Sequence, residues 1–137
     1  MQHRFLIVAA LLTVSLTAVA GKLERDTMTK TVQPAVASAE AKFKSSCGCS
    51  LTITVDETTM NTRDLLFQAA AVANDVGEGA EKYCTDGPSK KALCQMKKLE
   101  ILKRKPCEFT FKDGVGQCTS DGNMRCAWQQ ITKVLDK

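Results

Sequence analysis

The chain has 137 residues, 44% of them hydrophobic and 5% aromatic, with seven cysteines, a single histidine and a formal net charge of +4. That charge is too small to imply a nucleic-acid partner. The histidine is His3, inside an N-terminal leader, so the mature chain can build no triad, dyad or zinc site that needs an imidazole; no residue is assigned to catalysis or to a metal, and no cofactor is expected.

Residues 1–20 read as a signal peptide. Met1 to Arg4 carry positive charge, Phe5 to Ala20 are apolar or small, and Ala18-Val19-Ala20 has the small-x-small form that precedes cleavage. The apolar run is interrupted by Thr13, Ser15 and Thr17 and falls short of the roughly 20 strongly apolar residues of a spanning helix. Nothing later in the chain is long and apolar enough to span. The protein is therefore expected to be secreted or periplasmic and not membrane-spanning.

Residues 21–32 are polar and mixed in charge, which predicts a flexible N-terminal tail, and residues 33–137 are expected to form one disulfide-stabilised globular domain. Pro34 suits the first turn of a helix running through Ala39 to Lys44. Cys47, Cys49, Leu51, Ile53 and Val55 alternate with polar or small residues up to Asp56, predicting a strand with both cysteines on its core face. Asn61 or Thr62 then caps a helix in which Leu65, Ala69, Val72, Val76, Ala80 and Tyr83 recur at steps of three and four, with a bend or early end near Gly77. Asp86-Gly87-Pro88 marks a turn and Ser89 a cap, opening a second helix through Ala92, Leu93, Met96 and Leu99. Leu99 to Leu102 either continues that helix or becomes extended before Pro106.

Phe109 and Phe111 alternate with Thr110 and Lys112 ahead of Asp113-Gly114, the dipeptide of a two-residue hairpin turn. That turn sets Gly116 opposite Phe111 and Cys118 opposite Phe109, and leaves Cys107 diagonal to Cys118, out of comfortable disulfide reach. Asp121 or Asn123 opens the last helix, with Met124, Ala127, Trp128, Ile131 and Leu135 as its apolar stripe and Trp128 closing the core. The order of elements predicts an α+β fold. A small antiparallel sheet, made of one N-terminal strand and a C-terminal hairpin, packs against three or four helices.

In an oxidising compartment Cys47, Cys49, Cys84, Cys94, Cys107, Cys118 and Cys126 can form at most three bridges within the chain. Proximity favours Cys84 with Cys94, Cys118 with Cys126, and Cys47 or Cys49 with Cys107. The odd thiol is either buried or links two chains as a disulfide-bonded homodimer. Cys47-Gly48-Cys49 is the redox candidate, since a ring that small would be strained and easily exchanged, but burial of both sulfurs favours a structural role.

Between Lys82 and Lys105 eight basic residues face Asp86 and Glu100, a local excess of +6. Lys90, Lys91, Lys97, Lys98, Lys103, Arg104 and Lys105 form a candidate surface for an anionic partner, a glycan or a lipid headgroup; the competing reading is a solvated helix face. No aromatic residues interleave with these lysines, so nucleic-acid stacking is not expected. The function expected from these features is non-enzymatic binding of another macromolecule by a small exported protein, with a thiol-disulfide redox protein using Cys47-Gly48-Cys49 as the alternative.

Overall fold

The computed structural model describes residues 21–137, so the signal-peptide reading of residues 1–20 lies outside the described residues. In chain order the elements are α1 (Lys22–Thr27), a π-helical segment (Met28–Val32), α2 (Gln33–Cys47), β1 (Thr52–Val55), α3 (Arg63–Tyr83), α4 (Gly87–Leu93), β2 (Lys98–Lys103), β3 (Phe109–Lys112), β4 (Val115–Ser120) and α5 (Trp128–Leu135). The fold is α+β, with one four-stranded sheet in the order β1-β2-β4-β3.

Two expectations are corrected at the N-terminal side. Residues 22–32, predicted as a flexible tail, are helical and run without a break into α2, and Thr27 and Val32 are buried. Pro34 explains the π segment before it. Lacking an N–H, and with a ring that collides with the carbonyl four residues back, a proline forces the preceding turn to widen. The buried stripe consequently steps by five from Thr27 to Val32 before returning to Ala35, Ala39, Phe43 and Cys47. A search at the ordinary helical period sees no stripe across that jump.

The predicted strand over Cys47 to Asp56 is also too long. Helix α2 continues to Cys47, and Gly48 ends it in the left-handed region at φ 79°, a conformation that favours glycine at a helix C-terminus. Only Thr52–Val55 is strand.

Helices α2 and α3 lie side by side and run parallel. Ala39 meets Gly77, Lys42 pairs with Glu81 at 3.6 Å, and Cys47 is bonded to Cys84. Their contact is made by small residues: a β-carbon at Gly77 would lie 3.0 Å from the Ala39 Cα. Gly77 therefore permits close helix packing instead of ending the helix, and α3 continues to Tyr83. At its N-terminus Thr62 caps it as expected, accepting the Leu65 N–H at 3.2 Å.

The sheet is mixed, not antiparallel. β1 pairs parallel with β2, and β2 parallel with β4, while only β3 and β4 are antiparallel. A parallel pair needs a crossover connection, and α3 with α4 supplies it between β1 and β2. The hairpin has the predicted register, Phe109 opposite Cys118 and Phe111 opposite Gly116. Asp113 and Gly114 both have positive φ, 52° and 80°, as the mirror-image turn requires. The core lies between one face of the sheet, with Ile53, Leu99, Ile101, Phe109 and Cys118 buried, and the helices. The other face carries Thr52, Lys98 and Lys112 in one row and Thr54, Glu100, Gln117 and Thr110 in the next.

Candidate functional site

Three disulfides set the frame. Cys47 is bonded to Cys84, Cys49 to Cys94 and Cys118 to Cys126, with Cα separations of 5.2, 6.0 and 5.5 Å. The expected Cys118–Cys126 bridge is present. Cys84 with Cys94, and Cys47 or Cys49 with Cys107, are not. Because α2 and α3 run parallel, their C-terminal ends meet, and Cys47 at one end finds Cys84 at the other instead of a sequence neighbour. Cys49, past the Gly48 turn, then reaches Cys94 at the end of α4. The two residues flanking Gly48 thus clamp three helix ends, and no Cys47–Cys49 ring forms.

Cys107 is the odd thiol. It is half-buried, and burial together with the nearby Asp121 carboxylate pushes its thiol up, which makes it a weak nucleophile.

The basic segment is divided by the fold. Lys90 and Lys91 lie on α4, whose N-terminus is capped not by Ser89 but by Asp86, which accepts the Ser89 N–H at 2.8 Å. That helix ends at Leu93, so Lys97 and Lys98 do not share its face as a helical spacing predicts. Lys98 opens β2 and pairs with Glu100 at 3.3 Å. Lys103 closes the same strand, about 16 Å further along at strand spacing. Arg104 donates to Gln117 at 3.0 Å, and Gln117 donates to Glu100 at 3.0 Å, so these charges are bound into a polar chain across the sheet. Lys105 lies beside Asp121 and helps to hold that carboxyl low, after the Met124 and Asn123 N–H groups that Asp121 accepts. The basic residues are thus divided between α4, β2 and the segments that follow them, not carried on one helix face.

What the fold does assemble is a groove of about 400 Å³ between α3 and the start of α5, lined by Asp75, Glu78, Gly79, Lys82, Tyr83, Ala127, Trp128 and Gln129. Asp75, Gly79 and Tyr83 recur at helical steps of four, which puts them on one side of α3. Trp128 arrives from the opposite wall. Its helix starts later than Asp121 or Asn123, because Asp121 instead accepts the Asn123 and Met124 N–H groups in a tight turn, and Cys126 is tied back to β4. Met124, expected in the apolar stripe, is consequently exposed at 66%.

Gly79 lets the indole come down onto α3, since a β-carbon there would overlap the Trp128 ring. Tyr83 meets Trp128 edge to face, with ring centroids 6.2 Å apart, the arrangement that ring quadrupoles prefer. Trp128 is only half-buried: it packs on the core, as expected, and also presents a wall to the groove. A hydrogen bond to Asp136, followed by burial and by the Asp136 and Asp86 charges, pushes the Tyr83 hydroxyl up to about 12. At the rim Arg125 pairs with Asp75 at 3.2 Å. The sequence signal for this site was the coincidence of the only tryptophan and the only tyrosine with a glycine inside a helix, but nothing local connects residues 79–83 with 128.

No family model matches the chain, and no curated protein or solved structure shows a significant match to it. Among the described residues no helix is long and apolar enough to cross a membrane.

Proposed function

We propose that the protein is an exported, non-enzymatic binding protein that holds a partner protein against the Trp128 groove. The observation that carries this reading is the pairing of the only Trp and the only Tyr on the wall of a groove, rimmed by the Arg125–Asp75 ion pair. Tryptophan, tyrosine and arginine dominate the energetics of protein interfaces, and an aromatic centre within a polar rim is the usual anatomy of one. The Cys47–Cys84 bridge holds the C-terminal end of α3 and the Cys118–Cys126 bridge holds the segment leading into Trp128, so both walls of the groove are tethered before a partner arrives, which lowers the entropy cost of docking. Export is supported by the leader pattern and by three disulfides, which persist in oxidising compartments. Lys82 is the one member of the basic segment that lines the groove; the other cations can steer an acidic partner toward it without forming the contact surface.

The test exploits the single tryptophan. Protein labelled with 5-fluorotryptophan gives one ¹⁹F resonance, from Trp128, and that resonance is followed during titration with fractionated extracytoplasmic protein from the producing cell. A shifted or broadened signal in the parent, absent in Glu78→Lys and in Arg125→Glu, is the expected result. Co-elution with a partner while the resonance stays unmoved places the contact elsewhere and overturns the reading.

A further inference from the structure

β1 and β3 are the two edges of the sheet. From Thr52 to Val55 the β1 edge is uncharged and entirely β-branched, without the lysines or prolines by which edge strands are usually protected. Thr52 and Asp56 donate to the Lys97 and Ile101 carbonyls at 3.1 and 2.9 Å. By the alternation of a parallel ladder, Ile53 and Val55 therefore direct their N–H and C=O groups away from β2. That outer side opens into a groove of about 370 Å³ whose facing wall is helical and includes Met28, Val36 and Glu40. Glu40 is partly buried there. Burial pushes its carboxyl up, and the Ile53 N–H directed at it works against that rise. A carboxylate in this place does what the carbonyl of a neighbouring strand would do, offering an oxygen to an outward backbone N–H.

We propose that this groove docks an extended peptide segment of a partner protein, which adds to β1 as a fifth strand with alternate apolar residues turned toward Val36 and a lysine or arginine facing Glu40. The Val55 N–H and the Ile53 and Val55 carbonyls face outward at strand spacing, the pattern that the backbone of an extended chain matches. Among the described residues, Glu40 is the only charged one lining the groove, so charge complementarity selects a cation beside it. A second copy of this chain fits less well: its own β1 brings its α2 into the same space and sets two Glu40 carboxylates across one interface. The site is separate from the Trp128 groove, and neither reading depends on the other.

The test uses the oxidised chain from residue 21 and a fluorescein-labelled seven-residue peptide of alternating valine and threonine with a central lysine. A companion peptide with the same side chains carries N-methyl groups on the amides of both edges. Anisotropy is expected to saturate with the parent peptide and to weaken at least tenfold with the N-methylated one. A similar loss is expected in Val36→Lys, which sets a cation beside the peptide lysine at a half-buried position and whose fold is checked by circular dichroism. The amide resonances of Ile53 to Val55 should move on binding. Failure of the parent peptide to saturate, equal binding by the N-methylated peptide, or shifts confined to other residues overturns the proposal. Sedimentation showing a dimer whose Val55 amide is already protected does the same, because the occupant would then be a second copy.

Discussion

In the β3–β4 hairpin the partners are sequence neighbours: Asp113 and Gly114 turn the chain, and no pair from Lys112↔Val115 to Phe109↔Cys118 is more than nine positions apart. In the α2–β1–α3 unit they are distant, since Ala39 meets Gly77 and Cys47 meets Cys84 only after the chain has passed through β1. Local backbone chemistry is enough to specify the first. The second depends on close helix packing, which forms only when both helices and the intervening strand are in place. The groove at Trp128 belongs to this second kind, and so inherits its dependence on long-range order.

The bridge within the α2–β1–α3 unit and the one that ties β4 to the segment before α5 should differ most. Cys47–Cys84 spans 37 positions and Cys118–Cys126 spans 8. Replacing both cysteines by alanine is expected to cost about 4 kcal/mol for the first pair and about 2.5 kcal/mol for the second, on the chain-entropy model. Denaturant melts of the two double variants measure this, and equal losses would mean that loop length does not govern the difference. Next comes Gly77→Val, which overpacks the α2–α3 contact at Ala39 and is expected to cost about 2 kcal/mol. The matching change in the hairpin, Gly114→Ala, meets no close contact but puts a side chain at φ 80°; it should cost about 1 kcal/mol while leaving α2 and α3 packed, as amide exchange would report.

The smallest effect is confined to high pH. Tyr83, the only tyrosine, should ionise near 12 instead of 10, and Asp136→Asn should bring the midpoint back toward 10, as absorbance at the phenolate band would show. Its folded value lies above the ordinary one, so the Tyr83–Asp136 bond contributes stability that is complete below pH 10 and is lost as pH rises through 12. Thermal melts of the parent and of Asp136→Asn, each at neutral pH and above pH 10, separate this contribution from the lysines that titrate in the same range.

Much of the molecule was legible in its residues for the reason this comparison suggests. The hairpin register followed from Asp113-Gly114, the start of α3 from Thr62, and its buried face from a stripe at the helical period. Elsewhere a local pattern competes with a distant contact. Cys47 and Cys49 mimic strand alternation, yet Gly48 had already marked the end of a helix. Leu93, Met96 and Leu99 keep helical spacing, but Leu99 and Ile101 also alternate, and pairing of β2 between β1 and β4 decided for the strand. The widened turn before Pro34 hid the buried stripe of residues 22–47.

The amino-acid sequence by itself determined the α+β class, the hairpin and its register and the capped helix α3, and chain proximity favoured the Cys118–Cys126 bridge. Each of these rests on interactions between residues close in the chain, where turn chemistry and side-chain period act directly. Only the tertiary structure decided the parallel strand order, the bridges from Cys47 and Cys49, the division of the basic segment between α4 and β2, and the meeting of Tyr83 with Trp128. Those depend on which elements lie side by side after the chain has crossed over, and no local pattern carries that geometry.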